Sequence, residues 1–540
     1  MRRAAILGLA GIGLLLFAGG SAATSASKTH WRGTKAVLPA NAATGGNEDV
    51  SINSVSCASA GHCSAVGNYQ DSSDLQQGLL LTETSGKWRT GVEAALPPNA
   101  AAHPGVQIGS VSCASAGNCT AVGSYQVGSG DEEGLLLAEK AGRWATGVEA
   151  ALPGNAAPAG VVFLSSVSCA SAGKCSAVGA YEADSGWSEG LLLTEKAGRW
   201  ATGVEATLPA NAANGNTFLS SVSCSSAGNC SAVGYYNGYD SGGQGLLLTE
   251  KSGKWRTGVE AAMPGNAIAG KPVSLPSVSC ASAGNCSAVG TYNNDESSKD
   301  LTTPRGVLLT EKAGKWRAGV KAVPPANSAT GGAYQVDLSA VACSTVGNCV
   351  AVGDYVRGSG NVQGMLLTEK AGRWSRGLEA ARPRNAGADH DVELSAVSCA
   401  SPGNCTAVDG VGGLLVTETA GSWARAVEPA LPSNVRDPAG VVTVSCPSAG
   451  SCSAAGQYWP SGREGLLLDS SAAQCVVPKL TGKTLGAARH SVESHGCSVG
   501  RIEHVTSRRV KRNHVISQSP KPGRRLTLGA NVSLVVSSGR

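Results

Sequence analysis

Eight cysteine pairs in this chain share one spacing, with five residues between partners: Cys57/Cys63, Cys113/Cys119, Cys169/Cys175, Cys224/Cys230, Cys280/Cys286, Cys343/Cys349, Cys399/Cys405 and Cys446/Cys452. Their first members lie 56, 56, 55, 56, 63, 56 and 47 residues apart, so most of the chain is an array of one unit and not a single fused core. A representative unit reads Leu219-Ser-Ser-Val-Ser-Cys224, a short loop, Cys230-Ser-Ala-Val-Gly-Tyr-Tyr236 and a variable stretch. It closes with Gly245-Leu-Leu-Leu-Thr-Glu-Lys-Ser-Gly-Lys-Trp255-Arg-Thr-Gly-Val-Glu-Ala. Turn residues divide it into four short strand candidates: a (Val-Ser-Cys), b (Cys-Ser-Ala-Val-Gly), c (Gly-Leu-Leu-Leu-Thr) and d (Trp-x-x-Gly-Val-Glu-Ala). Four strands in about 55 residues is the size of one β-propeller blade. Composition agrees, since 73 glycines and 4% aromatics in 540 residues suit short strands and turns and leave little for helix bundles.

The two ends of the array distinguish a ring from an open solenoid. The segment His30-Trp31-Arg32-Gly33-Thr-Lys-Ala-Val-Leu38 is strand d alone, while the last unit supplies Cys446 to Cys452 and Gly465-Leu-Leu-Leu468 with no tryptophan strand after it. A solenoid gains nothing from such a split, whereas a ring uses the N-terminal strand to complete its final blade and cover an edge. The expected fold is all-β: an eight-bladed β-propeller of four-stranded blades with N-terminal strand closure, followed by a small α+β domain. Trp31 is expected on the outer strand of the blade near residues 441–468. Seven blades plus one aberrant unit is the alternative. The tryptophans Trp88, Trp144, Trp200, Trp255, Trp316, Trp374 and Trp423 are expected to pack between blades.

Residues 1–26 read as a secretory signal, residues 27–474 as the repeat domain and residues 475–540 as a separate tail. Met1-Arg2-Arg3, an apolar run from Ala4 to Ala18 and the small residues that follow are the parts of an export signal, and the run is too short to span a bilayer. Even-numbered cysteines at fixed spacing fit an oxidising compartment and disulfides that close each a–b hairpin. Facing hairpin strands hold Cα atoms near the 5–6 Å that a disulfide prefers, and a loop this short contributes only about 2 kcal/mol. The spacing differs from zinc motifs and no histidine recurs, so no metal or other cofactor is expected.

Comparison among the units shows that the a–b and c–d turns barely change, whereas the b–c and d–a connections vary. Both variable connections emerge on one face, the expected recognition surface. Candidate ligand-binding residues there are Tyr69, Tyr125, Tyr181, Trp187, Tyr236, Tyr292, Tyr355, Tyr458 and Trp459, beside carboxylates such as Asp71, Glu133, Glu189, Asp240, Asp295, Glu296 and Asp354. Aromatic faces beside carboxylates suit sugars or cationic peptides. The competing reading is structural, with the tyrosines packed at a blade edge. No nucleophile elbow, zinc-hydrolase motif or uniquely placed carboxylate pair singles out a catalytic residue.

The segment Thr-Glu-Lys-Ala-Gly-Lys-Trp resembles a degenerate Asp box, the hairpin of sialidase-like propellers. It is one residue short and lacks the Asp, so only its turn character carries over.

The tail breaks the pattern with Cys475 and Cys497. It holds 12 Lys/Arg against Glu493 and Glu503, a net +10, while residues outside the tail and signal carry 29 basic and 36 acidic side chains, a net −7. Such a basic module points to an anionic partner, and without an aromatic stacking set nucleic acid is not expected. Val477-Pro478, Leu480, Gly482, Ala488, Val492, Gly496 and Val499, continuing through Val515-Ile-Ser-Gln518-Ser-Pro520-Lys-Pro-Gly523 and Gly529-Ala-Asn-Val532-Ser-Leu-Val-Val536, resemble a PASTA domain. That family implies a helix near Leu485–His495 on a three-stranded sheet, and a bridge between Cys475 and Cys497 pinning the helix end to the first strand. It also implies recognition of peptidoglycan fragments. Thr484 is placed to cap the helix and Gly496 to end it.

The functional expectation is a secreted, non-catalytic binding protein without a membrane span. Its tail would associate with peptidoglycan or an anionic wall polymer, and its propeller face would meet a glycan or protein. An extracellular glycan-processing enzyme, hydrolase or lyase, is the alternative.

Overall fold

The computed structural model describes residues 30–539 except 239–242, 295–302, 331–334, 385–390, 433–438, 461, 472–474, 496 and 527–529. The export signal, Asp240, Asp295, Glu296, Gly496 and Gly529 lie outside the described residues. The chain is nearly all β-structure. Its first complete unit lays down strands Ser51–Ser59, His62–Gln70 and Gln76–Thr84, then the two short pieces Lys87–Trp88 and Val92–Glu93. These are positions a to d of one antiparallel meander.

Among the described residues, eight such sheets follow one another, here numbered 1 to 8. They span 51–93, 107–149, 162–205, 212–260, 274–321, 336–379, 394–423 and 440–471. Among the described residues, sheet 8 has no strand d of its own. Its outer position is taken by His30–Lys35, with Trp31 opposite Ser470 and Lys35 opposite Leu466. The N-terminal strand therefore completes the last sheet.

Each sheet packs on the next, which explains why strand c does not alternate apolar and polar. Leu80 joins a core with Leu135 and Leu137 of sheet 2, while Leu79 and Leu81 join one with Ala455 and Leu467 of sheet 8. A strand buried on both faces needs apolar side chains at every position. The circuit is closed, because sheet 1 packs on sheet 8 as it does on sheet 2. The tryptophans sit at these seams: Trp144 Nε1 donates to Thr82 Oγ1 of sheet 1, and Trp88 Nε1 to Asp469 of sheet 8.

Two hydrogen-bonded circuits run across the seams. On the outside, the amides of Gly33, Gly91, Gly147, Gly203, Gly258, Gly319, Gly377 and Ala426 each donate to the carbonyl of the preceding outer segment, at 2.6–2.7 Å. A Cβ at Gly91 would stand 2.7 Å from Leu79 Cδ1, so the close approach needs glycine. On the inside, strand a places hydroxyls at alternate positions, except where Ala340, Ala342 and Ala396 stand in sheets 6 and 7. Ser54 and Ser56 accept from the amides of Val111 and Cys113, and Thr443 and Ser445 from those of Val55 and Cys57.

The eight repeat disulfides are all formed. Their Cα separation is 4.0–4.1 Å rather than the expected 5–6 Å. Partners such as Cys57 and Cys63 stand directly opposite in the ladder, where antiparallel strands come closest. The expectation of a simple hairpin staple also needs correcting, because half of each bridge is core. The second cysteine of the pair, on strand b, is buried: Cys63, Cys119, Cys175, Cys230, Cys286, Cys349 and Cys405 are 3–4% exposed, and Cys446 and Cys452 of sheet 8 are both at 7%. The first cysteines of the other sheets, Cys57, Cys113, Cys169, Cys224, Cys280, Cys343 and Cys399, are only half-buried. Each strand-b sulfur reaches a seam, and all but Cys405 meet a hydroxyl of the preceding sheet: Cys119 Sγ lies 3.3 Å from Ser64 Oγ, Cys286 Sγ 3.3 Å from Ser231 Oγ and Cys349 Sγ 3.5 Å from Ser287 Oγ. Cys405 packs with Val350, Val352 and Leu366 of sheet 6. The bridges thus fill space between sheets as well as closing hairpins, a role for polarizable sulfur where large side chains are scarce.

The near-constancy of the a–b and c–d turns has a cause: they touch. Gly86 N donates to Gly61 O, and a Cβ on Gly61 would lie 2.7 Å from Gly86 N.

In the tail, helix Leu485–Ser494 is capped by Thr484, whose side chain accepts from Ala487 N. A three-stranded sheet places Asn531–Ser537 between Ser498–Val505 and Val515–Ser519. Cys475 and Cys497 are bridged, and both sit in the core with Ala488 and Val492.

Candidate functional site

The variable connections do converge on one face. Short bridges join the d–a and b–c connections, as between Ala42 and Asp71, Ala100 and Val127, and Ala156 and Ala183. The tyrosines nominated as ligand contacts are not on its surface, which corrects that expectation. Tyr69, Tyr125, Tyr181, Tyr236, Tyr292, Tyr355 and Tyr458 are at most 1% exposed. Strand b ends with its tyrosine directed into the seam, so the rings are part of the core.

Their hydroxyls work as clamps. Tyr125 Oη bonds Asn99 Oδ1 and Glu149 Oε2, each at 3.0 Å, and Asn99 Nδ2 donates to the same carboxylate at 2.6 Å. The arrangement recurs as Tyr69–Asn41–Glu93, Tyr181–Asn155–Glu205, Tyr236–Asn211–Glu260 and Tyr355–Asn327–Glu379. In each, the Asn comes from the incoming d–a connection and the Glu from the outer strand, so the clamp ties the connection to the blade. The Asn after each Pro-x pair and the Val-Glu of strand d were the available signals, and only their joint recurrence with Tyr points to a cluster.

Trp187 and Trp459, by contrast, are 43% and 37% exposed on this face. Acidic pairs lie beside the clamps. Burial, with Glu149 and Asp131 nearby, pushes the Glu133 carboxyl up to about 7. Burial and Glu205 do the same for Glu189. Asp354, buried beside Asp337 and Glu393, also reaches about 7. These groups change charge near neutrality.

The tail carries a second site of opposite sign. The loop after Ser498–Val505 surrounds a cavity of about 400 Å³ lined by Ser507, Arg508, Arg509, Lys511, Arg512 and Ser538, among others, with no acidic side chain on its wall. The loop is held in shape: Ser507 Oγ accepts from the amides of Arg509 and Val510, and Ser537 Oγ donates to Val510 O at 2.8 Å. Guanidinium groups on a fixed loop suit carboxylate or phosphate oxygens.

A family model matches this part of the chain, over residues 476–538. Those residues are a PASTA domain. A probable serine/threonine-protein kinase of Clostridium acetobutylicum is 38% identical over 64 residues, which is 12% of this chain and 10% of the kinase. The match thus spans about a tenth of that relative's length, all of it within the tail. Solved structures similar to the repeat domain include YCF48 bound to D1 peptide (11% identity, 82% of this chain and 94% of that one, TM-score 0.38). They also include the BP39L lectin of Burkholderia pseudomallei (13% identity, 71% and 99%, TM-score 0.38) and a PL25 ulvan lyase bound to a glucuronate–rhamnose sulfate unit (9% identity, 78% and 94%, TM-score 0.37). At such scores no property of those proteins transfers to the repeats.

Among the described residues no group of His, Cys, Asp and Glu is arranged to hold a metal ion, and no helix is long and apolar enough to cross a membrane.

Proposed function

We propose that the chain is an exported, non-catalytic binding protein in which an eight-bladed propeller is carried at the cell wall by its PASTA-domain tail. The tail engages peptidoglycan or an anionic wall polymer, and the propeller recognises a glycan or a protein. The supporting observation is the fixed basic loop Arg508–Arg512 around an acid-free cavity, on a module of net charge +10 attached to an array of net charge −7. Like charge keeps the repeats away from anionic polymer while the tail is drawn to it. Nine disulfides fit an oxidising location. Sedimentation with purified peptidoglycan and with teichoic-acid-bearing walls tests this. Retention of the full chain is expected, with at least a tenfold loss for Arg508→Glu/Arg509→Glu/Lys511→Glu and for a chain ending at Gln474. Equal retention of all three overturns the wall reading.

A second reading, a glycan-processing enzyme on the variable face, draws on Glu133. Its carboxyl at about 7 stands near a second acidic side chain, Glu149, and a carboxyl group that titrates near neutrality suits general acid–base chemistry. Release of reducing ends from wall and algal polysaccharides, abolished by Glu133→Gln, would establish it.

A further inference from the structure

The seams between sheets carry buried glutamates that come in two arrangements. In strand c the Thr-Glu motif, Ala-Glu in sheet 2, places Glu83, Glu139, Glu195, Glu250, Glu311, Glu369 and Glu418 at 1–5% exposure, facing the preceding sheet. Glu139 accepts from Ser64 and Thr82 of sheet 1, at 2.7 and 2.9 Å, and Glu311 accepts from Ser231 and Thr249 of sheet 4, at 2.9 Å each. There the glutamate is locked to two hydroxyls across the seam.

At the next seams the lock is open. Sheet 2 has Ala138 where sheet 1 has Thr82, and Glu195 Oε2 is buried without a partner. Sheet 3 keeps Ser176 and Thr194, yet both carboxyl oxygens of Glu250 are buried and unpartnered at 2% exposure. Cavities accompany these open seams. One of about 440 Å³ lies between sheets 3 and 4, and one of about 380 Å³ between sheets 2 and 3. A third, of about 290 Å³, lies between sheets 5 and 6 beside Ser287 and Glu369. All three open beside the a–b and c–d turns, at the opposite end of the blades from the variable connections.

The 3–4 cavity has a defined polarity. Glu250, facing sheet 3, lines it with Lys174 and Lys196, while Glu195 on the opposite wall turns its carboxylate toward sheet 2. Ser176, Thr194 and Ser252 add hydroxyls, and the disulfide sulfurs of Cys175 and Cys230 add soft apolar wall. Burial raises Glu250 above the usual carboxylate range. An anion would meet the desolvated Glu250 carboxylate there, and a cation would compete with two ammonium groups already present. A neutral ligand bearing several hydroxyls donates to the two orphaned Glu250 oxygens and accepts from the lysines and hydroxyls, supplying the partners that this carboxyl group lacks.

We propose that the 3–4 seam cavity binds a neutral, hydroxyl-rich ligand of monosaccharide size, with related sites at the 2–3 and 5–6 seams. This inference rests on the reading of the repeats as a recognition module but moves recognition to the turn end of the blades. It is independent of the tail.

The test uses the full chain and the probes glucose, galactose, mannose, fucose and N-acetylglucosamine, with lysine and glucuronate as charged comparisons, in saturation-transfer NMR and calorimetry. At about 10 mM probe, tenfold above a millimolar dissociation constant, at least one neutral sugar is expected to bind. Ala227, Ala172 and Val346 lie on exposed turns at the three cavity walls. Ala172→Trp/Ala227→Trp/Val346→Trp is expected to abolish the signal while leaving wall sedimentation unchanged. In an Ala172→Trp/Val346→Trp background, which keeps only the 3–4 cavity, Glu250→Ala is expected to weaken binding about tenfold. The proposal is overturned if no neutral sugar binds, if a charged probe binds in preference, or if binding survives both the fillers and Glu250→Ala. Loss of wall retention alone bears on the tail and leaves the seam result standing.

Discussion

Ser56, Ser112 and Ser168 are single hydroxyls that hold neighbouring sheets together, and the chain contains its own controls. Sheet 6 carries Ala340 and Ala342 at the equivalent positions, so the amides of Val397 and Cys399 in sheet 7 have no hydroxyl to meet there. Ala342→Ser is expected to restore that bond and raise unfolding free energy by about 0.5–1 kcal/mol, read from denaturant midpoints. The converse change, Ser112→Ala, removes the acceptor for Cys169 N and should cost about 1 kcal/mol. A second residue-scale effect is electrostatic. Sheet 8 has Asp469 where sheet 1 has Thr82, so the closing seam sets Asp469 beside Glu83. Burial first, then Asp469, pushes Glu83 up to about 7 from 4.5. The folded state therefore binds this proton more tightly than the unfolded chain does. Its stabilisation is full below about pH 4.5 and is lost as pH rises through about 7. Glu83→Gln should leave the melting temperature near pH 5 little changed and raise stability at pH 8 by about 1–3 kcal/mol. The alternate serines of strand a were visible in the sequence, but their role was not. A hydroxyl that faces the next sheet and one that faces solvent look alike until the ring places them. The same holds for the cysteines: the spacing pairs them, but which sulfur of a pair enters the seam depends on the facing sheet.

The c–d turn is the element whose chemistry the chain has left least favourable. Ser85, Ala141, Ala197, Ser252, Ala313, Ala371 and Ala420 all hold φ of 48–53° and precede a glycine that is also left-handed. Two positive φ values in a two-residue loop make the hairpin turn that matches strand twist, and Asn is far better suited than Ala to its first position. Ala141→Asn is expected to stabilise by about 0.5–1 kcal/mol, and several such changes on separate sheets should add, since the turns are far apart. Differential melting of single, triple and sevenfold variants checks both statements. The repeat's Ala-Gly and Ser-Gly pairs marked the turn positions directly, because glycine punctuates them. Strand d was legible as a stretch but not in its detail. It pairs with strand c in two pieces offset by one residue, Trp88 with Glu83 and then Val92 with Leu80. The His30–Lys35 strand pairs without a break, because Trp31 is one residue nearer its proline than Trp88 is. The tyrosines show the limit from the other side. Their position at the end of strand b fitted both ligand contact and packing at a blade edge, and their burial fits the second; each clamp draws its Asn from one connection and its Glu from another strand, a convergence that no local pattern encodes.

For the whole molecule, the closing strand decides whether the circuit of sheets is one cooperative body. Trp31 is 4% exposed and packs with Val444, Tyr458, Leu466 and Leu468, far along the chain from it. A ring has no privileged starting point, so the covalent cut between strand c of sheet 8 and its strand d is a matter of connectivity and not of packing. Two variants separate these. Deleting His30–Lys35 leaves the strand Glu464–Ser471 with an unpaired edge; this should lower the melting temperature by several degrees and promote self-association through that edge, seen by light scattering. Moving the same six residues to follow Ser471 through an Asn-Gly turn, ahead of the tail, rebuilds the hairpin that the other seven sheets already use. That permuted chain should melt within a few degrees of the parent and stay monodisperse relative to it. If the permuted chain is instead as unstable as the deletion, the N-terminal strand is a local ornament of sheet 8 and the ring does not unfold as a unit. The order of the two melting temperatures thus measures how far closure, rather than the disulfide in each hairpin, holds the repeats together.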